Sequence, residues 1–230
     1  LSVVVPLYNE VDNIVAVVHE VTEAVGSLNM EWELLLVDDG STDSSAELLR
    51  ELSTSRVRVL RLRENRGQSV AMEVGLRAAR YDLVATLDGD LQNDPRDLQL
   101  MLPLLREADM ICGVRTGRKD GHWRLLISRA ANRIRSGLTG DGVSDTGCTL
   151  KLFRAEVADR LYFFKGAHRF MPALARMEGF RVTEIPVSHR ARVAGVTKYG
   201  SLGRLRVTVP DLLGFLWLKS RFSSFEVDEV

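Results

Sequence analysis

Cysteine is scarce: the chain has two, Cys112 and Cys148, with no CxxC pair and no Cys/His cluster. That argues against a zinc site and leaves both thiols free, as in a reducing compartment. Long hydrophobic runs are absent as well. No stretch approaches the roughly 18 uninterrupted apolar residues of a bilayer span. The chain opens on a strand-like run without the basic, apolar and cleavage segments of a secretory leader. The expected location is therefore cytoplasmic. Neither sign of charge is in excess, with 31 basic and 31 acidic residues, so composition gives no reason to expect nucleic acid as a partner. The patterns GxxxxGK[ST] and GxGxxG are both missing, which removes the phosphate-loop and dinucleotide fingerprints. There is no internal repeat or low-complexity segment.

What is present suffices for one large domain: 230 residues, 45% of them hydrophobic. The organising stretch is 83–92. An apolar run over 83–87 stops abruptly at Asp88-Gly89-Asp90. It reads as a buried strand whose C-terminal end, the usual ligand side of an open α/β sheet, carries two carboxylates. Spaced two apart, they can share a face on extended backbone, and Gln92 adds an amide oxygen. Oxygen donors of this kind suit Mg²⁺ or Mn²⁺, ions that usually also hold substrate phosphates. The plainer reading is a turn, with Asn93-Asp94-Pro95 capping the helix beyond.

Other strands end the same way. The run 2–7 is closed by Pro6, because proline cannot complete a central ladder, and leads into Tyr8, Asn9 and Glu10. Those residues either cap the next helix or touch a ribose or base. The strand 32–37 ends at Asp38-Asp39, followed by a polar turn and a helix over 46–52. The strand 57–62 leads through a polar turn containing Gly67 and Gln68 into a helix over 70–79, whose first N–H groups face any anion there. A helix over 97–107 and a strand over 108–114 complete the first half. Strand and helix alternate throughout, which predicts a mostly parallel, Rossmann-like sheet with helices on both faces. Paired acids at two strand ends suggest one shared site.

From Arg115 onward the composition turns basic, with Arg118, Lys119, Arg124, Arg129, Arg133 and Arg135 against one acid, Asp120. A charge run is commonly a solvated face. Here it follows a strand that should end beside the acidic clusters, which favours an anionic substrate. Asp145 is a turn residue or a side chain near the acceptor. His189 is either a general base or, the plainer reading, a local structural histidine. Arg190, Arg192 and Lys198 lie in a glycine-containing segment able to order on binding. The segment 207–218 is too apolar for one helical face. It predicts an amphipathic helix that packs on the domain, pairs across a homo-oligomer, or lies at a membrane interface. The expected divisions are 1–200 for the catalytic unit, with 1–114 binding nucleotide and 115–200 acceptor, then 201–222 for this helix and 223–230 for a frayed tail.

Several short pieces, in order along nearly the whole chain, resemble those of family-2 glycosyltransferases of GT-A fold, and within them the dolichyl- and polyprenyl-phosphate group. They are Val4-Val5-Pro6-Leu7-Tyr8-Asn9-Glu10, Val37-Asp38-Asp39-Gly40-Ser41-Thr42-Asp43, Asn65-Arg66-Gly67, Leu87-Asp88-Gly89-Asp90-Leu91-Gln92, Gly113-Val114-Arg115, Asp145-Thr146-Gly147-Cys148, His168-Arg169-Phe170 and Lys198-Tyr199-Gly200. The resemblance implies an inverting transfer from a UDP- or GDP-sugar to a lipid phosphate at the cytoplasmic membrane face. It implies donor contacts by Pro6, Tyr8, Glu10 and Asp39, and a metal and diphosphate group of Asp88, Asp90 and Gln92. Arg115 and Arg129 would hold the acceptor phosphate, and Arg192 and Lys198 the donor phosphates. Asn9, Asp38, Gly67 and Gln68 are expected to line the donor site with them. A hydroxyl acceptor would instead need a base, for which Asp145 is the candidate. Many such proteins continue into transmembrane helices, and the segment 207–218 is too short to be one.

Overall fold

The computed structural model describes residues 1–116, 135–190 and 201–223. Seven strands form one sheet in the order β3-β2-β1-β4-β6-β5-β7. They are β1 (Ser2–Leu7), β2 (Glu33–Asp38), β3 (Val57–Arg61), β4 (Leu83–Thr86), β5 (Met110–Arg115), β6 (Lys151–Arg154) and β7 (Val182–Val187). The β1–β2, β2–β3, β1–β4 and β5–β7 pairs are parallel, and β6 runs antiparallel between β4 and β5.

The central strands β1, β2 and β4 read as near-continuous apolar runs because both faces of the sheet are covered there. Alternate residues go to opposite sides. Val3, Val5, Leu34 and Leu36 join one core with Ile14, Val17, Val21 and Leu49, from helices α1 (Val11–Gly26) and α2 (Ser45–Leu52). Val4, Leu35 and Val37 join the other with Met72 and Leu76 of α3 (Gln68–Ala78), and with Val157, Leu174 and Phe215 from the helices Ala155–Arg160, Met171–Met177 and Ser201–Arg221. The expected mostly parallel, two-faced α/β architecture is what the chain adopts. Cys112 packs in this second core as a small hydrophobe, its thiol pushed up to about 12 by burial.

Three local expectations differ from the structure. Pro6 does not end β1, which runs to Leu7. The Leu7 carbonyl accepts from Asp39 N–H on the β2 side and the Val4 carbonyl from Leu87 N–H on the β4 side. Pro6 therefore turns its backbone toward β4, which has already stopped at Thr86, so no donor is missed there. The helix expected over 97–107 breaks into a 3₁₀ turn Pro95–Asp97, one α turn Leu98–Met101 and a second 3₁₀ stretch Leu102–Arg106. Pro103, which brings no N–H and crowds the preceding turn, accounts for the break. Finally, β5 is not the neighbour of β4, because the short β6 is inserted between them.

The C-terminal helix Ser201–Arg221 packs on the domain by one face. Phe215 is fully buried and stacks on Phe170 at 5.2 Å between centroids. Asp211 pairs with Arg169 at 3.4 Å, and Lys219 donates to the Thr139 carbonyl at 2.9 Å. Val209, Leu213 and Trp217, four residues apart, stay exposed on another face. No helix among the described residues is long and apolar enough to cross a membrane.

Candidate active site

In the order 3-2-1-4 the connections leave the sheet in opposite directions on either side of the β1/β4 boundary. That boundary is the switch point at which open α/β sheets bind ligands. Tyr8, Asn9 and Glu10 follow β1, and Asp88-Gly89-Asp90 follow β4, so both groups sit at this crevice. Asp38 and Asp39 end β2 one strand further along.

The β1 and β2 exits are stitched to each other. Asn9, held at φ 52° in the left-handed region that asparagine tolerates, donates its N–H to Ser41 Oγ at 2.9 Å and accepts from Thr42 N–H at 2.8 Å. Glu10 receives Asn13 Nδ2 at 2.7 Å. Asp38 is fully buried; it accepts from Ser41 N–H at 2.9 Å and lies 3.2 Å from Arg61 Nε. Asp39, also buried, binds the turn before α3. It accepts from Asn65 Nδ2 at 2.9 Å, Arg66 N–H at 2.8 Å and Gly67 N–H at 2.9 Å. Gly67 has φ 91°, a conformation costly for other residues. Val70 and Ala71 then donate to the Gly67 carbonyl. The N–H groups of Gln68 and Ser69 are therefore the first of α3, with no intrahelical acceptor.

The acid pair lies next to that helix start. Gln68 Nε2 donates to Asp88 Oδ1 at 2.8 Å. Burial and the like charge of Asp90 push the Asp88 carboxyl up to about 6, only partly offset by Thr149, Lys151 and Arg115. Gly89 sits against β1, where a Cβ would fall onto Leu7 Cδ2. Leu91 adopts φ 59°, strained for a branched residue, yet its side chain is buried in the core. Asp90 accepts from Gln92 N–H at 3.2 Å. Gln92 and Asn93 are zipped to the end of β7, through Arg190 N–H to the Gln92 carbonyl at 2.9 Å and an antiparallel bridge from Asn93 to His189. Asp94 takes the capping role, accepting from Arg96 N–H at 3.1 Å, and its pairing with Arg96 and Arg190 holds it well below the usual carboxylate range.

These residues fit a divalent cation of the kind that shares substrate phosphates. Asp88 is raised by burial and by the like charge of Asp90 more than Lys151 and Arg115 lower it, and an amide oxygen lies two residues beyond Asp90. Among the described residues no group of three or more acidic, histidine or cysteine side chains could hold a metal alone. Phosphate oxygens would have to complete the set.

On the β5 side, Arg115 grips Asp145 bidentately, with Nε and Nη2 each 2.8 Å from a carboxylate oxygen, and the Arg115 N–H adds a contact at 3.2 Å. Gly147 makes room, since a Cβ there would lie 2.6 Å from Arg115 Nη2. Arg115 bears electrostatically on Asp88, so the acceptor candidates border the acid pair. Arg129, Arg192 and Lys198 lie outside the described residues, as does nearly all of the tail 223–230.

Two residues beside the site were given no role by the sequence: Lys151 was not singled out, and His168 stood only in a piece that carried the resemblance. Lys151 is buried, donates to the Cys148 carbonyl at 2.5 Å and acts on Asp88. A lysine amid Leu150, Leu152 and Phe153 was the available signal. His168 meets Ser69 across 99 positions at 2.7 Å, and no sequence pattern links that pair.

Comparison with known proteins agrees with this geometry. The model of glycosyl transferase family 2 matches residues 2–162, and the chain belongs to that family. It is 40% identical over 225 residues to a dodecaprenyl-phosphate galacturonate synthase of Rhizobium johnstonii, covering 94% of this chain and 66% of that protein. It is 37% identical over 204 residues to an undecaprenyl-phosphate 4-deoxy-4-formamido-L-arabinose transferase of Edwardsiella ictaluri, covering 87% and 63%. The chain thus spans just under two thirds of the length of these relatives. Among solved structures, glucosyl-3-phosphoglycerate synthase from Mycobacterium tuberculosis with Mn²⁺, UDP and phosphoglyceric acid superposes with TM-score 0.72 at 18% identity, over 97% of this chain and 79% of that one. The same enzyme with Mg²⁺ and UDP gives 0.69 at 20% identity, over 97% and 80%. This second likeness is one of fold, the GT-A fold.

Proposed function

We propose that this chain transfers a sugar, with inversion at its anomeric carbon, from a UDP- or GDP-sugar to a polyprenyl phosphate at the cytoplasmic face of a membrane, assisted by Mg²⁺ or Mn²⁺. The observation that carries the donor half is the crowded Asp88/Asp90 pair at the β1/β4 switch point, with the start of α3 beside it. The Asp39 side receives the nucleoside, with Pro6, Tyr8, Asn9 and Glu10 at its edge. Asp88, Asp90 and Gln92 would hold the cation and the diphosphate. When bound, that cation offsets the negative charge that grows on the departing diphosphate.

The acceptor oxygen attacks the sugar opposite the diphosphate; a bond from that oxygen to the anomeric carbon forms as the bond to the nucleoside diphosphate breaks. A phosphate acceptor is already ionised and needs cations rather than a base. The geometry favours it, because both oxygens of Asp145 are engaged by Arg115, leaving neither poised to take a hydroxyl proton. The names of the relatives at 40% and 37% identity support the same acceptor class. The exposed face of Val209, Leu213 and Trp217, continued one turn on by the exposed Arg221, suits a membrane surface.

A second reading is transfer to a hydroxyl of a soluble acceptor. It is favoured by the solved proteins of the same fold, which hold phosphoglyceric acid beside UDP. There Asp145 would have to leave Arg115 and act as base. One assay separates the two: labelled UDP- and GDP-sugars with Mn²⁺ are offered a short polyprenyl phosphate, phosphoglycerate or an oligosaccharide. A product in the lipid phase that disappears with EDTA is expected. Transfer to soluble acceptors alone selects the second reading, and transfer to none refutes both.

A further inference from the structure

The start of α3 touches three places in order: Asp39 through Gly67, Asp88 through Gln68 and His168 through Ser69. A nucleotide sugar laid along that order has its base by Asp39 and its diphosphate by Asp88. Its sugar then falls at His168. This placement rests on the donor reading above.

The His168 ring is set up for one task. Ser69 Oγ accepts from Gly166 N–H at 3.0 Å and lies 2.7 Å from His168 Nδ1. Among the described residues Nδ1 is the one acceptor for the hydroxyl proton, and the tautomer that uses it carries the ring proton on Nε2. Burial keeps the imidazole neutral, its pKa lowered to about 3, with the charges of Arg169 and Lys151 adding to the effect. Lys151 also acts on Asp88, so His168 and Asp88 both feel one buried cation. The turn that carries the ring is fixed from behind. Arg169 pairs with Asp211, and Phe170 stacks on Phe215 of the C-terminal helix. His168 is only half-buried and Nε2 makes no hydrogen bond among the described residues, so it is open to a ligand.

We propose that His168 is a specificity-determining residue that reads the transferred sugar. Its Nε2–H donates to a hydroxyl or carboxylate oxygen of that sugar, and Ser69 acts as the positioning residue that fixes the tautomer. A neutral donor can hold either kind of oxygen without competing with the cations around the diphosphate.

The test compares binding of UDP with binding of UDP-galacturonic acid and UDP-glucose by calorimetry in Mn²⁺, using wild type, His168→Ala, His168→Gln and Ser69→Ala. In His168→Ala, UDP should bind within about twofold of wild type, whereas at least one UDP-sugar should weaken by about tenfold, the size of one lost hydrogen bond. His168→Gln, which restores an N–H donor, should recover most of that loss. Ser69→Ala should show a smaller loss of the same kind. Parallel weakening of UDP and UDP-sugars, or no change in either, overturns the assignment and makes His168 structural. GDP and GDP-mannose are run beside them, and the comparison is read on the nucleotide that wild type binds; if it binds neither UDP nor GDP, the donor reading fails and this one with it.

Discussion

Replacing Asp88 by Asn should stabilise the metal-free protein and remove its response to Mn²⁺. The carboxyl is pushed from an ordinary 3.8 to about 6 by burial and by Asp90. Keeping it ionised at neutral pH costs the fold roughly 3 kcal/mol at most, at about 1.4 kcal/mol per pH unit. Asp88 is only half-buried, so water screens part of this, and an expected gain on the order of 1–3 kcal/mol is more realistic. Asn keeps an oxygen for Gln68 Nε2, so no donor is orphaned. For a domain of this size the gain corresponds to a melting rise of roughly 3–10 °C. The pH dependence has a definite sign. Below about pH 4 both folded and unfolded chains hold the proton, and the residue contributes nothing. As pH rises the unfolded chain releases it first, so wild type loses stability until about pH 6 and is flat above. Melting curves of both proteins in EDTA at pH 4 and pH 8 should therefore coincide more closely at the lower pH. Adding Mn²⁺ and UDP reverses the order, because ligand at about a thousandfold its Kd contributes roughly 4.1 kcal/mol to wild type alone. A variant less stable than wild type at pH 8 in EDTA would refute the account, as would equal stabilisation of both by Mn²⁺.

Gly89→Ala should cost about 1–3 kcal/mol in urea unfolding, since the new methyl meets Leu7 Cδ2, and should weaken UDP binding by displacing the acid pair. Asp39→Ala strands the Asn65 amide and the N–H groups of Arg66 and Gly67, each loss worth about 1–3 kcal/mol. Its donor KM should rise at least about tenfold with a circular-dichroism spectrum like that of wild type. Arg115→Lys keeps the charge but not the two-pronged grip on Asp145. The acceptor KM should rise more than the donor KM, and equal changes in both would move Arg115 out of the acceptor site.

Much of this was legible because both faces of the sheet are buried. Runs such as 2–7 and 33–38 could hardly be anything but interior strands, and their acidic exits marked the ligand side. The resemblance carried the rest of the family assignment. What was hidden is non-local. Nothing near Lys151 in the sequence says that its strand runs backwards between β4 and β5, because antiparallel and parallel partners have the same composition when both faces are covered. Pro6 illustrates the same point: its tolerance depends on where a neighbouring strand happens to stop. Asp38 and Asp39 look alike as letters, yet one turns in toward Ser41 and Arg61 and the other gathers the turn before α3. The pairing of Arg115 with Asp145 likewise joins two residues that were read as separate candidates.

The reversed strand β6 has a mechanical consequence. It hydrogen-bonds to β4 on one edge and to β5 on the other, so the parallel strands β3-β2-β1-β4 and the pair β5-β7 share a single unbroken sheet. Two lobes joined by a linker can close like jaws. These cannot, because bending between them would break main-chain bonds in the middle of the sheet. Any accommodation of substrates must come from the segments around the rim, while the frame beneath them keeps its dimensions.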